Sequence, residues 1–284
     1  MKIRTFFLLI PAIVSLVFPF TTQAQNVMRV AFLDIGQGDA IYIEAPNSAQ
    51  MIIDGGPEGS LESPLSAVMP YLDRSINVIM VTNPDADHYA GFIDLLRDYD
   101  VGAVIEPGTV THTPTHAQFQ KEIAEQNIPE VMARKGMTIT LDPDAGVTFT
   151  VLFPDRDVST WTTNDGSIMG ILAYGATKIM FTGDATKKTE GIVLAENGAD
   201  ELASTILKVG HHGSTTSSSD AFVGAVAPTM AVISAGRNNK YGLPKSETLT
   251  TLKRHGATIL RTDELGTIIV TSDGHTFLRE GENE

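Results

Sequence analysis

The sequence contains no cysteine. Disulfide bonds, thiolate metal ligands and a cysteine nucleophile are therefore excluded. If the protein binds a metal ion, the ligands must be histidine, aspartate, glutamate or asparagine side chains. A ligand set of this kind, without sulfur, suits zinc, manganese or iron.

Positive charge is scarce. The chain has 20 lysine and arginine residues against 34 aspartate and glutamate residues, and its formal net charge is −14. A chain with this balance repels polyanions at long range unless its basic residues are gathered locally or metal ions offset the acidic ones. The balance argues against a general nucleic-acid coat protein. It leaves open a nuclease with a local positive site.

Long hydrophobic runs are limited to one segment, FFLLIPAIVSLVF, near the N-terminus. Lys2 and Arg4 precede this run, and a stretch of small residues ending at Ala24 follows it. The pattern predicts a cleavable signal peptide over residues 1–24, and hence a secreted or periplasmic protein with no stable membrane insertion after cleavage. An uncleaved membrane anchor is the alternative, but the run is short for a spanning helix and contains a proline.

Residues 25–284 alternate short β-rich segments with helical patterns, and the two halves follow a similar rhythm. Near-continuous apolar runs such as NVIMVTN are typical of strands buried on both faces. Helices are predicted for LESPLSAVMPYLDR, AGFIDLLRDY, HAQFQKEIAEQN, TKKTEGIVLAEN, SDAFVGAVAP and KSETLTTLKRHG, with Ser219 or Asp220 as the N-cap of SDAFVGAVAP. The sequence therefore predicts one α/β domain in which two β-sheets pack together with helices outside.

Four predicted strands end in acidic or histidine-containing segments. They are IIDGG with Asp54, VTNPDADHYAG with Asp85, Asp87 and His88, FTGDA with Asp184, and KVGHHGS with His211 and His212. Taken singly, each aspartate has an ordinary explanation as a turn or helix-cap residue. Strand ends of packed sheets can meet at one rim, however, and clustered carboxylates repel one another unless a cation neutralises them. Together the segments predict a site for one or two divalent ions.

Six segments, in this order, resemble the metallo-β-lactamase-type domain of ComEC-family DNA-uptake proteins. They are FLDIGQGDAIYIEAP, IIDGG, VTNPDADHYAG, TNDGSIMGILAYGATKIMFTGDA, LKVGHHGSTTS and VISAGRNNKYGLP. DIGQGD and KVGHHGS are the specific parts of the resemblance, whereas DxDH is shared by the wider metallo-β-lactamase superfamily. The resemblance implies a metallo-β-lactamase-type αββα sandwich, formed as a single domain, with its metal site at one edge of the two sheets.

The resemblance also implies roles for individual residues. The implied metal ligands are Asn83, Asp85, Asp87, His88, Asp184 and His211. The residues implied to surround and orient them are Asp54, Asp34, Gln37, Asp39, Asn164 and Asp165. Asp87 and His212 are the expected catalytic residues, although the sequence does not decide which of the two adjacent histidines binds metal and which donates a proton. Four residues of the last matching segment either contact an anionic substrate or are solvated loop residues: Arg237, Asn239, Lys240 and Tyr241.

Two positions depart from the family pattern. Asn83 stands at the first histidine of the HxDxDH element, and Leu243 stands where a late motif has histidine before proline. An asparagine amide still offers an oxygen, whereas leucine offers no ligand. We therefore expect one well-held divalent ion, Zn²⁺ or Mn²⁺, with a second ion bound weakly or not at all.

The resemblance implies a metal-dependent hydrolase that acts on a phosphodiester such as DNA through a metal-activated hydroxide. The two missing histidines motivate an alternative of another class, a catalytically inactive binding module that kept the fold. A β-lactamase is a further alternative, which a periplasmic location favours and which Asp85 and the DIGQGD segment oppose. The sequence predicts no protein partner.

Overall fold

Two β-sheets face each other at the centre of the structure, a computed structural model that describes residues 27–281. The predicted signal peptide lies outside the described residues. With strands numbered along the chain, the first sheet has the spatial order β17 (Phe277–Arg279), β16 (Ile268–Ser272), β1 (Met28–Phe32), β2 (Ala40–Glu44), β3 (Gln50–Gly55), β5 (Val78–Met80), β7 (Val104–Glu106) and β8 (Glu130–Met132). The strands from β17 to β3 pair antiparallel, and those from β3 to β8 pair parallel.

The second sheet has the spatial order β15 (Thr258–Arg261), β14 (Met230–Ile233), β13 (Ile206–Lys208), β12 (Thr177–Phe181), β11 (Met169–Tyr174), β10 (Val147–Phe153) and β9 (Thr138–Asp142). The strands from β15 to β12 pair parallel, and those from β12 to β9 pair antiparallel. Two short strands, β4 (Ser75–Ile76) and β6 (Asp100–Val101), form a separate parallel pair.

Helices connect the strands and cover both outer faces. They are α1 (Glu62–Ser66), α2 (Ala86–Tyr89), α3 (Phe92–Asp98), α4 (Pro114–Gln126), α5 (Lys187–Glu196), α6 (Ala199–Leu202), α7 (Asp220–Val226), α8 (Ser246–Arg254) and α9 (Thr262–Leu265), with one 3₁₀ turn at Gly210–Gly213. The expected N-cap of α7 is confirmed at Ser219, whose side chain accepts a hydrogen bond from the Phe222 N–H. Within residues 27–281, each helix is too short or too polar to cross a membrane.

Apolar side chains from both sheets fill the space between them. Phe32 and Ile53 of the first sheet and Phe149, Phe181 and Ile206 of the second belong to this buried cluster. Successive residues of a strand point to opposite faces, so the same strands also supply apolar residues to the outer layers. The sheets are therefore buried on both faces, in agreement with their near-continuous apolar runs.

Each outer face is covered by its own group of helices. Leu65 of α1 and Phe119 of α4 lie in a buried cluster with strand residues of the first sheet. Val193 of α5, Phe222 of α7 and Leu252 of α8 lie in a buried cluster with strand residues of the second sheet. The predicted αββα sandwich is thereby confirmed.

The helix predicted for LESPLSAVMPYLDR is wrong in its second half. Helix α1 ends at Ser66, and the rest of the segment forms turns. Pro70 lacks an amide hydrogen and disfavours a helical conformation at the residue before it. Tyr71 and Leu72 are 93% and 75% exposed, so the segment has no continuous apolar face to bury.

Strands β8 and β17 were not predicted, because short strands at sheet edges show no clear burial pattern.

The carboxyl ends of the parallel strands meet at one rim of the sandwich. In the first sheet Asp54 lies near the carboxyl end of β3, and Asp87 lies in α2, which follows β5. In the second sheet the loops after β12 and β13 contain Asp184 and His212. The fold therefore brings the predicted site segments of both halves to the same edge.

A substitution in the central core tests this architecture. Phe181 is 1% exposed, and its ring lies 6.4 Å from that of Phe32 of the facing sheet and 6.0 Å from that of Phe149. We expect Phe181→Ala to lower the free energy of unfolding by about 3–5 kcal/mol, because it leaves a cavity that the two sheets cannot close. Urea denaturation measures the change. The exposed Tyr71→Ala variant serves as the control and should stay within about 0.5 kcal/mol of wild type.

Candidate metal centre

A buried aspartate orients the first histidine of the site. Asp54 takes a left-handed backbone conformation at φ 59 and is 1% exposed. Its carboxylate accepts hydrogen bonds from Thr82 N (2.7 Å) and Thr82 Oγ1 (2.6 Å). Asp54 Oδ2 also lies 2.9 Å from His88 Nδ1. This contact places the proton of the ring on Nδ1, and His88 Nε2 is left facing Asp184 Oδ2 at 3.2 Å.

A second histidine is held in the same way from the other sheet. His212 Nδ1 donates to the carbonyl oxygen of Ser234 at 3.1 Å and lies 3.3 Å from Asp39 Oδ1. Asp39 Oδ2 accepts from Lys208 Nζ at 2.6 Å. All three ionisable side chains are at most 2% exposed. Both acceptors lie on the Nδ1 side of His212, so its Nε2 faces the interior of the site.

The two histidines and two aspartates converge. His212 Nε2 lies 3.5 Å from Asp87 Oδ2 and 3.7 Å from Asp184 Oδ2. The rings of His88 and His212 have centroids 5.5 Å apart. Ligand atoms of Asp87, His88 and His212 lie within 4.8 Å of one another, and so do those of Asp39, Asp184 and His212. One ion can therefore contact donors from both sheets.

Several buried atoms at this point of convergence have no hydrogen-bond partner among residues 27–281. They include His88 Nε2, His212 Nε2 and Asp184 Oδ1. A buried polar atom left in this state costs about 1–3 kcal/mol, so proteins rarely keep a group of them without a reason. Imidazole nitrogen and carboxylate oxygen are the donors that divalent transition ions prefer. The unpaired atoms therefore fit a metal ion.

The charges around His88 and His212 also favour a bound cation. Burial disfavours the charged form of His212, but the negative charges of Asp184 and Asp39 outweigh it and raise its pKa to about 10. Burial also opposes protonation of His88, and the charges of Asp184 and Asp54 again raise its pKa well above the ordinary value. Without another cation the histidines carry protons that balance the carboxylates, and a bound metal ion takes the place of those protons.

Asn83 makes a different set of contacts. Its side chain is fully buried, its Nδ2 donates to Asn164 Oδ1 at 2.7 Å, and its Oδ1 accepts from Asp85 N at 3.0 Å. Asp85 Oδ2 accepts from Thr163 Oγ1 at 3.0 Å. These four residues close on one another through protein hydrogen bonds. They contrast with the unpaired atoms of the histidine cluster.

The two adjacent histidines occupy different environments. His211 and His212 both have positive φ values, 49 and 53, which ordinary residues rarely adopt. The His212 side chain is 2% exposed, whereas that of His211 is 25% exposed. His211 Nε2 lies 3.7 Å from Asp184 Oδ2, and its Nδ1 lies 2.8 Å from Thr216 Oγ1. His212 is thus inside the cluster, and His211 borders it on the solvent side.

The remaining residues expected around the ligands shape loops. Asp34 is exposed, and its Oδ1 accepts from Gly36 N at 3.3 Å. Gln37 Oε1 accepts from Gly236 N at 3.2 Å and so joins the loop after β1 to the loop after β14. Asp165 accepts from Lys188 Nζ at 3.0 Å and thereby holds the loop before β11 against the start of α5.

The expected substrate residues divide into two groups. Asn239 uses its side chain within its own loop, donating to Gly236 O at 2.9 Å and accepting from Leu243 N at 3.0 Å. Arg237 is likewise engaged, because its Nε donates to Asp263 O at 3.1 Å. Tyr241 is 53% exposed, with Lys240 Nζ 5.0 Å from its ring centroid.

An open groove of about 590 Å³ runs from Tyr241 to the cluster. Its wall includes Pro57, Ala86 and Lys240, and it reaches Asp87. The groove therefore gives a ligand access from solvent to the converging side chains, past an exposed aromatic ring and a lysine.

Sequence reasoning missed two residues of the centre. Lys208 is 1% exposed although it is charged, and a lysine inside the apolar run TILKV was the signal for it. Gly38 has φ +135, and a Cβ built there would lie 2.3 Å from the carbonyl oxygen of Asp87. Asp39 N donates to that same carbonyl at 3.2 Å. The last glycine of DIGQGD thus allows the loop after β1 to touch the metal-binding loop.

Comparison with known families agrees with this geometry. The family description "Metallo-beta-lactamase superfamily" matches residues 33–237, and the chain belongs to this superfamily. Membership implies a divalent metal site, which the unpaired histidine and carboxylate atoms fit.

The resemblance to competence proteins is also confirmed. The chain is 28% identical over 257 residues to ComE operon protein 3 of Bacillus subtilis, with 84% of this chain and 32% of that protein covered. It is 27% identical over 248 residues to competence protein ComA of Neisseria gonorrhoeae, with 86% of this chain and 32% of that protein covered. The chain thus spans about a third of the length of these relatives.

Solved structures show the same fold. The metallo-beta-lactamase fold protein YhfI of Bacillus subtilis has a TM-score of 0.58 at 11% identity, with 87% of this chain and 100% of that chain covered. CmlA beta-hydroxylase has a TM-score of 0.53 at 11% identity, with 82% and 52% covered. The structural similarity establishes the fold. At identities this low it does not establish the reaction, which must be argued from the site.

The raised histidine pKa values predict a pH-dependent metal affinity. In the metal-free protein the neighbouring carboxylates raise the pKa of His212 to about 10 and that of His88 well above its ordinary value, which favours the protonated form of both rings near neutral pH. We expect Zn²⁺ binding to release roughly two protons and the affinity to rise as the pH rises from 6 to 8. Isothermal titration calorimetry in buffers of different ionisation enthalpy measures the release. An identical observed enthalpy in all buffers would contradict the prediction.

Proposed function

We propose that this member of the metallo-beta-lactamase superfamily is a metal-dependent hydrolase that cleaves phosphodiester bonds, with DNA as the foremost substrate. One observation carries the proposal: buried nitrogen and oxygen atoms of His88, His212 and Asp184 that form no hydrogen bond among the described residues converge beside Asp87, which an open groove reaches. A structural cluster would have paired these atoms with protein donors and acceptors. A centre built to hold a cation at a substrate site leaves them free.

The unpaired atoms favour a single well-held ion. His88 and His212 would hold it through Nε2, with Asp87 and Asp184 supplying carboxylate oxygens. The expected additional position around Asn83 is occupied by hydrogen bonds between protein groups. When bound, a divalent ion supplies a Lewis acid and a hydroxide nucleophile near neutral pH.

The two histidines of KVGHHGS take different roles in this proposal. The resemblance implies His211 as the metal ligand but does not decide between the two histidines, whereas the geometry favours His212, which is buried and lies near Asp87. His211 is partly exposed at the edge of the cluster, where a leaving group must depart. We assign His211 as the proton donor to that leaving group, with Thr216 Oγ1 fixing its ring.

The groove supports a substrate with an extended anionic backbone. Tyr241 offers an exposed ring on which a base can stack, and Lys240 beside it offers charge for a phosphate. The names of the relatives, which include a competence protein and a recombination protein, support DNA as the substrate. The chain matches about a third of these relatives, so only the local chemistry is carried into the proposal.

The location of the protein is part of the same proposal. The predicted signal peptide would deliver the hydrolase to the periplasm or the medium. N-terminal sequencing of the protein recovered from cell fractions tests this step. A chain that begins at Met1 and remains with the cytoplasmic fraction would contradict it.

A binding module without catalysis is the second candidate. Asn83 and Leu243 favour it, because both stand where the resembling family has histidine and neither side chain is available as a ligand here. The two candidates share the groove and differ in turnover. Activity measurements therefore distinguish them directly.

Removal of a ligand should abolish hydrolysis. We expect Asp184→Ala to lower the rate on bis(p-nitrophenyl) phosphate and on DNA by at least about 100-fold, since even residues that only orient a ligand cost 10–100-fold. EDTA should have the same effect on wild type, and Zn²⁺ or Mn²⁺ should restore it. Asp144→Ala, in the exposed turn between β9 and β10, is the matched control and should keep most of the activity. A metal-loaded wild type that hydrolyses neither diester would leave the binding module, and hydrolysis of a β-lactam alone would indicate a lactamase.

The metal content of variants should show that the ion depends on the histidine cluster and not on Asn83. We expect wild type and Asn83→Ala each to retain one tightly bound ion per chain, because the Asn83 amide is already engaged with Asn164 and Asp85. His88→Ala should lose the ion. Elemental analysis after gel filtration measures the ratio, and circular dichroism checks that each variant is folded. Two tightly held ions in wild type would overturn the single-ion arrangement.

A further inference from the structure

A fully buried lysine lies behind the candidate metal centre. Lys208 is the last residue of β13, and its side chain is 1% exposed. Lysine is almost never buried completely unless it is paired, because removal of the ammonium group from water costs several kcal/mol. Lys208 belongs to the KVGHHGS segment but is not one of the proposed metal ligands.

The ammonium group has two contacts that fix it. Lys208 Nζ donates to Asp39 Oδ2 at 2.6 Å and to the Val209 carbonyl oxygen at 3.2 Å. The other oxygen of the same carboxylate, Asp39 Oδ1, lies 3.3 Å from His212 Nδ1. Lysine, aspartate and histidine therefore form a chain that ends at His212 Nε2, the atom facing Asp184.

The chain joins the two sheets of the sandwich. Lys208 and His212 belong to the second sheet and the loop after it, whereas Asp39 precedes β2 of the first sheet. The Lys208 and Asp39 partners are 169 residues apart in sequence. The ion pair thus sets where a carboxylate of one half meets a ligand of the other half.

The opposite histidine is supported differently. Asp54, which orients His88, is held by two neutral donors of Thr82. Asp39 is held by a charged donor instead, and it lies close enough to Asp184 and His212 to bind an ion itself, with ligand atoms within 4.8 Å. Without Lys208, the Asp39 carboxylate is free to turn from His212 toward the ion.

We propose that Lys208 is a positioning residue of the metal centre, which holds Asp39 as the partner of His212 and prevents it from becoming a ligand. By this action Lys208 sets the direction of His212 Nε2 and the affinity of the centre for a divalent ion. The inference rests on the proposed metal centre and is independent of which substrate is hydrolysed.

Metal binding, measured apart from turnover, tests the role of Lys208. The probe is Co²⁺ added to metal-free protein, with affinity from titration and coordination from the visible absorption spectrum. We expect Lys208→Met to weaken Co²⁺ binding about 10–100-fold and to change the spectrum, since residues that orient ligands have effects of this size. Lys253→Met removes an exposed lysine and should match wild type in both measurements.

A double variant keeps the test valid if the single variant does not fold. Lys208→Met combined with Asp39→Asn removes both charges of the pair, which leaves no buried charge unpaired. In this variant His212 keeps the Ser234 carbonyl but loses the charged carboxylate beside its Nδ1, and weaker Co²⁺ binding is again expected. Thermal unfolding in EDTA confirms that each variant is folded. A purely structural role of Lys208 would lower the unfolding temperature without changing the Co²⁺ absorption spectrum.

The outcomes separate this inference from the proposed function. Wild-type affinity and spectrum in both folded Lys208 variants would overturn the positioning role and leave the hydrolase proposal intact. Failure of wild type to bind Co²⁺ would overturn both. Weaker binding with an altered spectrum in the variants supports the positioning role even if every phosphodiester assay of wild type is negative.

Discussion

The structure of the rim depends on one constraint, the burial of several carboxylates where two sheets meet. Each buried carboxylate needs a positive or hydrogen-bonding partner, because its charge is costly away from water. Asp54 has Thr82 and His88, and Asp39 has Lys208 and His212. These two Asp–His pairs use up the outward nitrogens of both imidazoles. Both Nε2 atoms therefore turn inward. The centre between them contains several nitrogen and oxygen atoms that can bind a metal ion, and a cation there would balance the charge of the carboxylates.

The backbone meets the same constraint by close approach. The loop after β1 can reach the metal-binding loop because Gly38 has no Cβ beside the carbonyl oxygen of Asp87. On the opposite side, Gly183 has φ +48, and a Cβ there would lie 2.6 Å from Thr82 Oγ1, the donor that holds Asp54. Gly38 thus allows two loops of the first half to touch, whereas Gly183 allows the second half to approach Thr82 of the first, and the side chains that orient the histidines depend on these contacts.

Much of this arrangement could be predicted from the sequence. Apolar runs that end in aspartate or histidine marked the strands and the rim, because a strand buried on both faces must end where polar groups can be satisfied. Pairings across the sheets could not be predicted. Nothing local links Lys208 to Asp39 or Asn83 to Asn164, since each pair joins loops far apart in sequence. The helix expected beyond Ser66 failed because a periodic pattern says little where Pro70 and exposed apolar residues interrupt it.

The hydrogen bonds of Asn83 explain why a buried asparagine is stable at this position. A ligand histidine replaced by an apolar residue would leave a buried gap, and one replaced by a charged residue would add an uncompensated charge. Asparagine does neither, because its amide donates to Asn164 and accepts from the Asp85 backbone. That part of the rim can therefore fold without a cation. In the histidine cluster, by contrast, His88 Nε2 and His212 Nε2 form no hydrogen bond with the described residues, and they lie 3.2–3.7 Å from carboxylate oxygens whose charge a cation would balance. The contrast places the need for a cation at the histidine cluster, beside Asp184.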